Sequence, residues 1–264
     1  MRSFLESRII GKKILKVSTV NEKLRYKVPS NLNLSLQNLI ITKILRRGKY
    51  LILFFRDSKL CLLIHLGMTG YFRLSDELVE KKHDHVIFFL KKKILIFNDI
   101  RKFGFIKIYC DNDIFLSSHL RNMGVEPLSK NFNLNYFNSF RKRAVDLKGL
   151  LMNQSFVAGL GNIYCSEILY DARLNPLRKI NSLNNLEIRN IVKSTKKILK
   201  KAISFGGTTI KNFIVSEEKI GYFKNKLKVY SRDKKNCLRC LKGILIKKIR
   251  QNGRSTFFCE KCQK

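Results

Sequence analysis

The sequence predicts an α+β chain of several domains: an N-terminal antiparallel β-sandwich, a helical domain after it, and a small ribbon at the C-terminus. Three observations predict it. Short runs rich in Ile, Leu, Val, Phe and Tyr crowd the stretch from Lys12 to about Cys110, apolar residues recur at three and four from about Asn131 onward, and cysteines fall in pairs near the end.

The chain opens MRSFLESRIIGKKILKV. Phe4, Leu5, Ile9 and Ile10 share one side of a helix, and Ser3 and Glu6, three apart, predict a capping box. The runs NLIITKIL, KYLILFF, LCLLIHL, HVIFFL, KILIFN and FGFIKIY follow, separated by turn residues such as Asp57-Ser58. Many short, closely spaced strands read as an antiparallel sandwich or barrel. Near GVEPLSKNF, Pro127 and the polar residues after it suit a linker. The expected domains are 1–124, 125–225 and 226–264. In the second, Leu186, Ile191, Val192, Ile198, Leu199 and Ile203 recur at helical spacing with lysines on the other side, and Gly206-Gly207 ends that helix.

With 264 residues, of which 45% are hydrophobic, the chain can bury a substantial core. Lys+Arg of 54 against Asp+Glu of 19 gives a formal charge of +35. The excess runs along the whole length, which points to a polyanionic partner, nucleic acid first. Heavy use of Lys, Asn and Ile with little Pro and no Trp also fits an AT-rich gene. The apolar runs are too short to cross a bilayer and no secretory leader is recognisable, so a cytoplasmic protein is expected. Seven cysteines, four of them clustered at the end, fit a metal site plus buried thiols better than a secreted disulfide framework.

Cys237 and Cys240 bracket two residues, Cys259 and Cys262 bracket two more, and 18 residues separate the pairs. That spacing makes a tetrahedral thiolate site for one Zn2+, structural because no position is left open for water or substrate. Between the pairs QNGRSTFF predicts a hairpin, with Asn252-Gly253 as its turn and Arg254 at the tip. A guanidinium there can grip a phosphate with two bonds; a solvated surface arginine is the alternative. Upstream, LLMNQSFVAGLGNIYCSEILYDARLNP places Gly159, Gly161 and Asn162 at the start of a helix. Free N–H groups there, with the Asn162 amide, would seat a phosphate; an ordinary glycine turn between packed helices is the other reading.

Taken with RRGKYLIL at Arg46, HLGMTG at His65, KHDHV at Lys82, NDIRKFGF at Asn98, GGTT at Gly206, GYF at Gly221 and GRSTFFC in the ribbon, these motifs make the chain similar to the formamidopyrimidine-DNA glycosylase family over nearly its whole length. The resemblance implies a β-sandwich and a helix–two-turn–helix domain joined by a hinge. It implies a bacterial repair enzyme, monomeric and associated with the nucleoid, that removes oxidised purines (formamidopyrimidines, 8-oxoguanine) from double-stranded DNA. Strand cleavage at the resulting abasic site by β,δ-elimination is implied as well. Met68, Arg101 and Phe103 match the family's void-filling residues: two apolar bodies to wedge the stack and a guanidinium to read the orphaned cytosine. Lys49, His83, Arg143, Lys148, Asn162 and Arg254 match its phosphate contacts, and Lys49 and Arg254 also its elimination residues. Lys211 to Lys219 matches the segment that closes over the flipped base. Two positions depart from the family pattern: Ile100 stands where a proline is usual and Lys102 where a second arginine is usual, which keeps the charge without the bidentate fork.

In the family, a helix resembling Phe4 to Ile10 follows a Pro-Glu start whose proline nitrogen attacks C1′ of the sugar, and the LE…IIGKKI match puts about nine residues of that start ahead of Met1. The glutamate handles protons. Glu6 matches a position further along the helix and is no substitute. Two readings follow: a glycosylase with AP lyase activity whose true start carries Pro-Glu, or a non-catalytic protein that holds damaged or abasic DNA. A basic zinc-ribbon RNA-binding protein is a more distant third, and would not need Met68, Arg101 and Phe103.

Overall fold

A computed structural model of the chain describes residues 1–207, 222–240 and 243–264. Its residues cluster into two compact units, one built on Met1–Arg121 and the other on Asn122–Phe205 with Phe223–Lys264.

The first unit begins with α1 (Arg2–Ile9), which buries Phe4, Leu5 and Ile9. The expected capping box is not formed. The helix is capped at Met1 without a side-chain bond, so Ser3 lies inside the first turn, and Glu6 instead accepts a bond from Arg2 Nε at 3.1 Å. Eight strands follow: β1 (Ile14–Thr19), β2 (Ile41–Arg47), β3 (Tyr50–Phe55), β4 (Leu60–His65), β5 (Tyr71–Ser75), β6 (Asp84–Leu90), β7 (Lys93–Asn98) and β8 (Phe105–Cys110). They form two four-stranded sheets in the orders β1-β6-β7-β5 and β2-β3-β4-β8. Every pairing is antiparallel, with Leu53 opposite Leu62 and Val86 opposite Phe97.

Leu51, Leu53, Leu62, Ile64, Val86, Phe88, Leu95 and Phe97 meet in the core, together with Leu32 and Leu36 of α2 (Leu32–Leu36). Ile52, Cys61 and Leu63 on the opposite faces are buried too. That is why these strands read as unbroken apolar runs rather than as an alternation. The short β5 carries Arg73, buried in an ion pair with Asp84 at 2.5 Å, and this charge hid the strand from an apolar pattern.

The second unit holds α3 (Leu134–Asn138), α4 (Leu147–Met152), α5 (Asn162–Asp171) and α6 (Asn185–Ser204), then the hairpin of β9 (Lys247–Gln251) and β10 (Arg254–Phe258). Here a capping box does form: Asn184 accepts from Glu187 N, and Glu187 accepts from Asn184 N, at the start of α6. Ile188, Ile191, Ile198 and Ala202 of that helix are buried in the unit's core. Leu186 and Ile203, expected on this face, sit in the first and last turns of α6 and are 64% and 66% exposed. Gly206 and Gly207 follow with positive φ, as expected for a helix stop. Tyr170, Val229, Ile246 and Phe257 surround the cysteines in a small separate core. No helix among the described residues is long and apolar enough to cross a membrane.

Candidate nucleic-acid interface

On the first unit, Met68 lies in the loop between β4 and β5, and Arg101 and Phe103 lie in the loop between β7 and β8. Met68 is 55% and Phe103 45% exposed. Arg101 Nη1 reaches Met68 Sδ at 3.4 Å, and its guanidinium carbon stands 4.6 Å from the centre of the Phe103 ring. A flat cation is thus held between a thioether and an aromatic face, and among the described residues its remaining side-chain donors have no hydrogen-bond partner.

Lys49 is exposed in the tight turn between β2 and β3, after Gly48 with φ of +55°. Next to it stands His65, at the end of β4, whose motif was legible in the sequence although no role was read from it. Burial, reinforced by the positive charges of Lys49 and Arg25, lowers its pKa to about 4. Its Nδ1 accepts from Gly67 N at 3.0 Å, so the neutral ring carries its proton on Nε2. The imidazole is stacked on Phe105 with centroids 5.6 Å apart. His83, half-buried, precedes β6 with φ of +75°, and its carbonyl accepts from Asp99 N at 3.1 Å.

On the second unit the tip of the hairpin is anchored from several sides. Asn252 and Gly253 both have positive φ, 50° and 72°, the backbone of a tight two-residue turn, and Arg254 is exposed just after it. Asp146, the cap of α4, accepts from Gly149 N and from the amides of Gln251 at 2.6 Å and Asn252 at 3.1 Å. Lys148 differs from an open phosphate donor. It is 2% exposed, and its ammonium donates to Ser255 O at 3.0 Å and Thr256 Oγ1 at 2.6 Å. Burial, with the charge of Arg254 adding to it against Cys165 and Asp146, lowers its pKa to about 8. Asn162, half-buried at the first residue of α5, also donates to Ser255 O, at 2.9 Å. Lys148 and Asn162 therefore converge on the residue that follows Arg254. Arg143 stays exposed, its guanidinium 4.7 Å from the ring centre of Phe140.

Cys237, Cys240, Cys259 and Cys262 have their sulfurs within 4.8 Å of one another. The Cys237–Cys262 and Cys240–Cys259 separations are 3.9 Å and 3.7 Å, whereas a tetrahedron with zinc–sulfur bonds of about 2.3 Å needs sulfurs about 3.8 Å apart. The donor set fits zinc. Tyr170 Oη lies 3.4 Å from Cys237 Sγ, Arg239 Nη1 3.9 Å from Cys262 Sγ, and the Arg239 guanidinium covers the Tyr170 ring at 4.2 Å. Glu167 of α5 ties the segment before the first cysteine pair to the helices: its buried carboxylate accepts from the backbone N–H groups of Lys228, Val229 and Tyr230. Burial raises its pKa, against those bonds.

The segment from Lys211 to Lys219, expected to close over a flipped base, lies outside the described residues, as do Thr208, Thr209 and Gly221 of the neighbouring motifs. Thr69, Asp99 and Gln251 lie inside motifs legible in the sequence, although no role was read from them, and Asp146 carried no signal. Each is an ordinary polar residue until the chain brings its partners.

Comparison with known proteins bears on all three segments. The formamidopyrimidine-DNA glycosylase N-terminal domain matches residues 1–106, the formamidopyrimidine-DNA glycosylase H2TH domain matches 123–214, and the zinc finger found in FPG and IleRS matches 234–264. Formamidopyrimidine-DNA glycosylase of Rickettsia bellii is 42% identical over 267 residues, covering 100% of this chain and 96% of its own. That of Rickettsia felis is 42% identical over 267 residues, covering 100% and 95%. Lactococcus lactis Fpg in complex with an abasic site containing DNA superposes with a TM-score of 0.91 at 34% identity, covering 100% of this chain and 96% of that one. The same protein with N7-Benzyl-Fapy-dG containing DNA gives 0.90 at 34% identity, with the same coverage. The four cysteines hold one structural zinc.

Proposed function

The chain belongs to the formamidopyrimidine-DNA glycosylase family, and we propose that it is a base-excision repair DNA glycosylase with AP lyase activity. Its substrate is double-stranded DNA carrying oxidised purines, formamidopyrimidines and 8-oxoguanine, or abasic sites, which it meets in the bacterial cytoplasm. The observation that carries this reading is the exposed trio of Met68, Arg101 and Phe103, with the guanidinium held between the other two. A lesion inside a duplex is out of reach until it is swung out, at a cost of a few kcal/mol. Two apolar wedges lower that cost by refilling the stack. Arg101 then offers N–H donors to the Watson–Crick edge of the orphaned partner. Cytosine answers with acceptors at O2 and N3, whereas adenine sets an amino donor against the guanidinium.

Lys49, His83, Arg143 and Arg254 present donors to the backbone, which fixes position without reading sequence. Lys148 and Asn162 serve the same contact indirectly, by fixing the strand that carries Arg254. The resemblance assigns the attack to the secondary amine of a Pro-Glu start. The iminium it forms at C1′ acidifies the C2′ proton. Loss of that proton breaks the C3′–O bond, and a second elimination breaks the C5′–O bond. Each leaving phosphate departs beside a cation, and Lys49 and Arg254 are assigned to that task.

Borohydride trapping on an 8-oxoguanine duplex tests the reading. A chain carrying the family's Pro-Glu start should trap and cleave. A chain that begins at Met1 should trap little there, with slow trapping on abasic DNA through another amine. Tight, lesion-selective binding with no base release, even with Pro-Glu in place, would make the protein a non-catalytic damage binder. Efficient excision by the chain beginning at Met1, confirmed by intact mass, would show that another residue is the nucleophile.

A further inference from the structure

Asp99 follows β7 and is 0% exposed. Its Oδ1 accepts from Thr69 Oγ1 and from Arg101 N at 3.3 Å, and its Oδ2 accepts from Gly104 N at 2.7 Å. Thr69 Oγ1 in turn accepts from Arg101 N at 3.0 Å. One carboxylate therefore holds Thr69, next to Met68; Arg101 itself; and Gly104, next to Phe103. The two loops also meet backbone to backbone. A Cβ on Gly67, where φ is +65°, would stand 2.6 Å from Gly104 N and 2.7 Å from Phe103 C. The Asp99 backbone adds ties to the next loop, donating to His83 O at 3.1 Å, with its carbonyl 2.8 Å from His85 Nε2.

We propose that Asp99 is a specificity-determining positioning residue: without touching DNA, it mounts Met68, Arg101 and Phe103 as one rigid wedge and so sets preference for the base opposite the lesion. The inference rests on the void-filling reading of those residues. The physical ground is the acceptor-only character of an ionised carboxylate. Each of its donors comes from a different point of the wedge, so both loops are held in a single relative register. Exposed loops joined only by side-chain packing would drift, and a guanidinium displaced by about 1 Å no longer meets both cytosine acceptors. An asparagine at this position would turn an N–H against one of the same donors and release one loop.

The test measures affinity of the full chain for duplexes with a tetrahydrofuran abasic-site analogue opposite cytosine or adenine, and for undamaged duplex. Binding needs no nucleophile, so the start of the chain does not enter. Asp99→Asn and Thr69→Val should each lower the cytosine-over-adenine ratio by roughly tenfold, the range of one lost bidentate contact. Affinity for undamaged DNA should hold, and Thr69→Ser, which keeps the hydroxyl, should retain the wild-type ratio. If Asp99→Asn does not fold, the Thr69 pair decides. Wild-type ratios in Thr69→Val and Asp99→Asn, alongside a lost ratio in Arg101→Ala, would overturn the role of Asp99 and leave the void-filling reading intact. An unchanged ratio in Arg101→Ala would remove that reading, and with it this one.

Discussion

Lys148 and Ser255 lie 107 positions apart in sequence and are joined by a 3.0 Å hydrogen bond from the buried ammonium to the Ser255 carbonyl. The same ammonium holds Thr256 Oγ1, so Lys148 braces the strand that begins with Arg254. Replacing it by Met should destabilise the second unit by roughly 1–3 kcal/mol, the penalty for leaving buried partners unpaired. Urea unfolding with the Lys148→Met variant checks this, and a change within error would mean that the brace carries no weight.

The salt dependence of DNA affinity separates braces from phosphate contacts. Arg254→Ala should reduce the slope of log affinity against log salt by about 1, because one phosphate contact and its released counterion are lost. Lys148→Met should weaken binding with a smaller change of slope, since its charge lies behind the hairpin. Equal slope losses in the two variants would place the Lys148 ammonium on a phosphate in the complex.

His65 should make stability fall in acid. Its folded pKa is about 4 against 6.5 for the free side chain, so between those values the unfolded chain binds more protons, and stability declines as the pH drops from about 6.5 to about 4. Unfolding free energies measured across that window should show the slope in the wild type. His65→Asn should lose that part of it. Identical slopes would assign acid sensitivity to other groups.

The Tyr170 hydroxyl faces Cys237 Sγ at 3.4 Å, and a hydrogen bond to a zinc thiolate makes the sulfur less nucleophilic. Tyr170→Phe should still hold one zinc per chain but lose it faster to a thiol-alkylating reagent, by roughly tenfold for an outer-shell partner of this kind. A metallochromic indicator follows the release. Unchanged kinetics would show that the contact is only packing.

The parts of this protein that its sequence determined are those with local or periodic causes. The apolar runs of β3, β4, β6 and β7, the helical spacing within α6, the Asn252-Gly253 turn and the two CxxC pairs each act within a few residues, and each was legible at its place. The order of motifs along the chain was equally legible and carried the family. Only the tertiary structure decided which polar residues go inside. Lys148, Asp99, Glu167 and Asp146 look like any surface charge in sequence, and Leu186 and Ile203 look like core. A buried charge is tolerated only where donors or acceptors replace its water, and here those partners arrive from other segments: Ser255 for Lys148, Thr69 for Asp99, Val229 for Glu167. Local pattern holds no record of such pairings, because desolvation is set by everything that surrounds a group in space rather than by its neighbours along the chain.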